Sequence, residues 1–89
     1  MDHDAANREI MRLLEHYRSL PYSELLALTD RDAIETDVPA PDGLVTFYVD
    51  VRLASPDSVR VNVSAFGNNW WKCERIDESL VVSRPASSG

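Results

Sequence analysis

The feature that most limits what this chain can become is a change of hydrophobic period at Thr29-Asp30-Arg31-Asp32. Before that stretch apolar side chains recur at spacings of three and four, and after it they alternate with polar ones. The first period places apolar groups on one stripe of a helix and the second on one face of a strand. Helices therefore come first and strands follow without interleaving, which predicts an α+β chain and argues against the βαβ units of a parallel sheet. A chain of 89 residues is short enough for a single domain spanning residues 1–89.

In the helical part, Ala6, Ile10, Leu13, Leu14 and Tyr17 form the stripe between Ala5 and Ser19, with Arg8, Glu9, Arg12, Glu15 and Arg18 between them. Asp4 is placed to cap the first free N–H groups. Pro21 disfavours helical backbone at Leu20 and lacks an N–H, so the first helix ends there and Pro21 opens a second one through Glu24, Leu25, Leu26, Ala27 and Leu28. Helices are expected over about residues 5–29 and a sheet over about 33–83.

Ile34, Thr36 and Val38 alternate with Glu35 and Asp37 as a first short strand, which Pro39-Ala40-Pro41-Asp42-Gly43 should stop as a loop. A longer strand then presents Phe47, Val49, Val51 and Leu53 on one face and Thr46, Tyr48, Asp50 and Arg52 on the other. After a reverse turn at Ser55-Pro56-Asp57-Ser58, Val59, Val61, Val63 and Ala65 alternate with Arg60, Asn62, Ser64 and Phe66. The two apolar faces must coincide, which leaves two registers for this hairpin. Pairing Ser55 with Val59 sets Tyr48 against Phe66 and Arg52 against Asn62; pairing Leu53 with Val59 sets Arg52 against Arg60. Like charges directly opposite are destabilising, so the first register is expected.

Gly67-Asn68-Asn69 reads as a second hairpin turn, since both residue types accept positive φ. The segment Trp70 to Ile76 has no clean alternation and calls for a bulge. Asp77-Glu78 reads as a further turn, Leu80-Val81-Val82 as a last short strand, and residues 84–89 as a frayed tail. The expected architecture is two N-terminal helices packed on one face of an antiparallel meander of four to five strands, because the valine face cannot bury itself. Adjacent strand residues face opposite ways, so Trp70 and Trp71 should occupy opposite environments.

The stretch Leu20-Pro21-Tyr22-Ser23-Glu24-Leu25-Leu26-Ala27-Leu28, the strand hairpin, the Gly/Asn turn into Trp70 and the closing Asp77-Glu78-Ser79-Leu80-Val81-Val82 resemble a family of small uncharacterised bacterial proteins, a domain of unknown function. Its members open with a helix reading Leu-Ser-Tyr-Glu-Glu-Leu and close with a strand reading Ser-Phe-Ile. The resemblance covers about residues 20–83 and implies the α+β fold, a bacterial source and a buried Trp70; it transfers no site residues. This chain departs from the pattern in Pro21, in the longer Pro39 to Gly43 loop and in Trp71 beside Trp70.

Charge and composition bear on function mainly by exclusion. The net charge is −6, and residues 24–57, with eight acids against Arg31 and Arg52, carry all of it. Such a surface is unsuited to nucleic acid. No apolar run has the length of a membrane span, and the N-terminus has neither a basic nor an apolar leader segment. With one cysteine, Cys73, no internal disulfide can form, which fits a cytoplasmic protein.

Gly43, Gly67 and Gly89 are the only glycines, so no phosphate-cradling loop, dinucleotide fingerprint or nucleophile elbow can be written, and no cofactor is expected. Cys73, His3 and His16 fall short of the four ligands of a structural zinc site, and Asp30, Asp32 and Glu35 lack the glycine of a calcium loop.

What is left is surface. Tyr48 and Phe66, one of Trp70 and Trp71, and Asp50 form a candidate interaction patch on the sheet face away from the valines, with an acidic rim from Glu35 to Asp50. A non-enzymatic interaction or accessory protein is the expected function, its partner another protein. The alternatives are a thiol-dependent enzyme built on Cys73 and His16 and a structural homodimer closing over the same aromatics.

Overall fold

The computed structural model describes residues 3–40, 43–69 and 72–85. It is an α+β fold in chain order: α1 (His3–Arg18), α2 (Tyr22–Leu28), β1 (Ile34–Ala40), β2 (Gly43–Ser55), β3 (Ser58–Asn69) and β4 (Lys72–Ser83). The four strands form one antiparallel sheet in the order β1-β2-β3-β4.

The stripe read from the sequence is the buried side of α1: Ala6, Ile10, Leu14 and Tyr17 are buried, while Met11, off the stripe, is exposed. The helix begins at His3 rather than Ala5, which puts Asp4 inside its first turn, where a carboxylate still favours the helix dipole. At its end Ser19 closes the last turn, its backbone N–H donating to the Glu15 carbonyl and its hydroxyl to that of His16. Pro21 then starts α2 as expected of a residue that needs no N–H there, its carbonyl accepting from the N–H groups of Glu24 and Leu25.

The core lies between the helices and one face of the sheet. Val45, Phe47, Val49 and Val51 of β2 and Val59, Val61, Val63 and Ala65 of β3 are buried in one cluster with the α1 stripe and Leu25. Each fully buried valine contributes about 1.5–3 kcal/mol relative to exposure. α1 lies against β3 and β4 and α2 against β2.

Several expectations are corrected here. The β2–β3 hairpin takes the other register, Leu53 opposite Val59 and Arg52 opposite Arg60. Its tight turn sets Ser55 opposite Ser58, and an irregularity between Leu53 and Ser55 restores the apolar parity. The Ser55 hydroxyl accepts the Asp57 N–H and lies 2.7 Å from that of Ser58. Like charges do not prevent this because Arg52 reaches away from Arg60, donating to the carbonyls of Thr29 and Arg31 just beyond α2.

β1 runs through Pro39 to Ala40, opposite Leu44 and Gly43, instead of stopping before a five-residue loop. An edge strand tolerates proline where its missing N–H faces away from the ladder, and Gly43, at φ 138°, supplies the backbone that other residues avoid. Gly67, Asn68 and Asn69 are ladder positions of β3, opposite Glu74, Cys73 and Lys72, not a turn.

Asp77 and Glu78 do not turn the chain either: β4 is one strand of 12 residues, which gives four strands among the described residues, the lower figure of the four to five expected. Asp77 sits opposite Ser64 and bonds to it. Of the expected tail, the Arg84 N–H donates to the Asp57 carbonyl at 2.7 Å, and residues 86–89 lie outside the described residues.

Candidate functional site

The face of the sheet turned away from the helices carries side chains in rows fixed by the strand registers. One row holds Asp37, Thr46, Phe66 and Arg75; the next holds Glu35, Tyr48, Ser64 and Asp77; Asp50, Asn62 and Ser79 follow. Tyr48 and Phe66 are thus diagonal rather than direct neighbours, a separation that aromatic rings still bridge. Their centroids are 5.2 Å apart at an interplanar angle of 88°, an edge-to-face contact.

The rings continue into a polar array. Arg75, directly opposite Phe66, lays its guanidinium 5.0 Å from the ring centroid, a contact of about 0.5–1 kcal/mol at an exposed site. Its Nε is 2.8 Å from Asp77 Oδ2. The Ser64 hydroxyl donates to Asp77 Oδ1. The Ser64 hydroxyl, followed by the neighbouring Arg75 charge, holds the Asp77 carboxyl below its ordinary range. A carboxylate so stabilised is a poor proton acceptor, and the Ser64–Asp77 pair acts to tie β3 to β4.

Asp50 sits one row along, with Arg52 Nη2 3.2 Å from its Oδ1. That approach is an ion pair without hydrogen-bond alignment, so the covered Oδ1 accepts no hydrogen bond. Together with Asn62 and Ala33, these side chains line a shallow, open depression of about 470 Å³. It offers aromatic edges, two guanidinium groups and a carboxylate acceptor to whatever lies on it.

Of the candidate patch, the structure brings Tyr48, Phe66 and Asp50 together; Trp70 and Trp71, with the expectation of opposite environments, lie outside the described residues. Arg75, Ser64 and Asp77 were not anticipated as part of the array, because β4 read as broken at Asp77; the alternation of Arg75, Asp77 and Ser79 was the available signal.

The Cys73 side chain lies outside the described residues, and its backbone position in β4 is remote from His16. His3 Nε2 meets Glu74 Oε1 at 3.2 Å, which fixes the start of α1 beside residue 73, whereas His16 lies near the other end of that helix, about 20 Å away at 1.5 Å per residue. Among the described residues no group of three or more His, Cys, Asp or Glu side chains is placed to hold a metal ion, and no helix is long and apolar enough to cross a membrane.

No protein-family model, no curated protein and no solved structure matches this chain.

Proposed function

We propose that this chain is a cytoplasmic, non-enzymatic interaction module that binds another protein through the open face of its sheet. The single observation that carries the reading is the Tyr48–Phe66 edge-to-face pair extended by Arg75 beside Asp50. Aromatic and Arg side chains are the groups most enriched at the energetic centres of protein interfaces, and here they sit in one shallow depression that no helix covers. The acidic side chains Glu35, Asp37 and Asp50 share that face, so a partner with an apolar centre and a basic rim is complementary to it. The resemblance to small bacterial proteins belongs to this proposal as its expected source and supplies no residues to it.

The test is affinity capture from the source cell with the wild-type chain and with a Tyr48→Ala/Phe66→Ala variant whose circular dichroism matches wild type. Proteins retained by wild type and lost by the variant support the reading. Recovery of the same proteins by both forms, or of none by either while the chain is monomeric, overturns it. A concentration-dependent dimer that the double substitution abolishes favours instead a homodimer over the same aromatics.

A further inference from the structure

The helix side of the sheet is covered unevenly. α1 lies mainly over β3 and β4 and α2 over part of β2, so no helix packs closely on β1. The register turns Ile34, Thr36 and Val38 of β1 to the same side as the core residues Val49, Phe47 and Val45. Ile34 is nevertheless 44% exposed and Val38 40% exposed. Between these residues and α1 runs a largely apolar groove of about 140 Å³ floored by Phe47 and Val49 and walled by Leu13 and Tyr17, with the mutually paired Glu9 and Arg12 also lining it. That volume is below the 300 Å³ or so of small-molecule pockets and suits individual side chains.

β1 is also an edge of the sheet, with one side of its backbone unpaired. If Pro39 keeps its missing N–H on the free side, period 2 turns the backbone groups of Asp37 and Glu35 to that side as well. The free ladder thus offers its donors at Glu35 and Asp37 and loses one at Pro39. The other edge, β4, differs because α1 packs over it and its residues Ile76, Leu80 and Val82 join the core.

Charge selects the occupant. Two copies of this chain pairing β1 to β1 would set Glu35 and Asp37 of one against those of the other, which like-charge repulsion disfavours. We propose that β1 is a docking edge for an extended segment of another protein in which apolar residues alternate with Lys or Arg. Such a segment adds a fifth strand beside Ile34–Val38. Its apolar side chains continue the row of Ile34 and Val38 over the groove, and its cationic side chains pair with Glu35 and Asp37 on the opposite face. The backbone edge and the groove are separate from the Tyr48–Phe66 depression, while Glu35 and Asp37 border both.

The experiment titrates isotope-labelled full-length chain with a capped peptide of about seven residues alternating Val and Lys. Its controls are a peptide alternating Val and Glu, one with the same Val and Lys content arranged in two blocks, and the alternating Val/Lys peptide methylated on alternate backbone nitrogens. The alternating Val/Lys peptide should bind at least about tenfold more tightly than each control in one methylation frame, slowing exchange of the Glu35 and Asp37 amides. Glu35→Lys/Asp37→Lys, both exposed positions, should transfer the preference to the Val/Glu peptide, while Tyr48→Ala/Phe66→Ala leaves binding unchanged. Equal affinity for alternating and block peptides, shifts confined to the Tyr48–Phe66 face or to β4, or no binding at millimolar peptide would overturn the proposal. So would a dimer of the free chain that already protects Glu35 and Asp37.

Discussion

At the scale of single residues, Arg52 and Arg60 show how a long side chain can reverse a rule that holds for charges confined to the sheet. They are direct cross-strand neighbours, yet the Arg52 guanidinium donates to Thr29 and Arg31 carbonyls at 3.3 and 3.1 Å. Those carbonyls lie just past the C-terminal end of α2, where a cation is favoured. Arg52→Ala should therefore cost about 0.5–1 kcal/mol, discounted for its exposure, while Arg60→Ala stays within about 0.5 kcal/mol. Equal urea midpoints for the two variants would contradict this division of roles. Asp77 gives a pH dependence with a definite sign. Its folded carboxyl is held below the ordinary value by Ser64 first and Arg75 after it, so its contribution is complete above the unfolded-state range near pH 4 and is lost as pH falls through the folded value. Ser64→Ala should raise the Asp77 carboxyl titration followed by NMR and reduce the loss of stability on acidification. An unmoved titration would remove Ser64 as the cause.

At the scale of elements, hydrophobic period located both helices and the valine faces of β2 and β3, because those positions carry apolar groups with few interruptions. Val61→Ala should cost about 2 kcal/mol or more, since Val61 is fully buried, whereas Val81→Ala, on the opposite face and 51% exposed, should cost no more than about 0.5 kcal/mol. Comparable losses in thermal unfolding would mean the faces of β3 or β4 are misassigned. β4 was harder to read because two adjacent acids, Asp77 and Glu78, look like a turn when their partners across the ladder are unknown. The register of β2 and β3 failed for a related reason: the Ser55–Ser58 closure and the reach of Arg52 are set by three-dimensional neighbours. The Tyr48–Phe66 contact was legible even so, since the rings bridge a diagonal as readily as a direct pair. The groove beside β1 was not legible, because nothing in the sequence tells which strands α1 will cover.

At the scale of the whole molecule, helices on one side of a long sheet make an extended body of 55 × 22 × 16 Å. Its accessible surface is 6063 Å², against about 5,200 Å² for a compact monomer of its mass. A monomer in solution should give a radius of gyration near the 14.8 Å of the Cα trace rather than the roughly 12 Å of a compact chain of this length. Small-angle scattering that returns the smaller value would contradict the extended shape.

The strands pair only with their neighbours in sequence, so each hairpin closes a short loop, whereas α1 docks on the last two strands and His3 meets Glu74 across 71 positions. During synthesis from the N-terminus, the helix therefore emerges long before the strands that receive it. Ile10 and Leu14 stay uncovered until β3 and β4 have been made, and the apolar stripe of α1 is at its most adhesive while the chain is still incomplete.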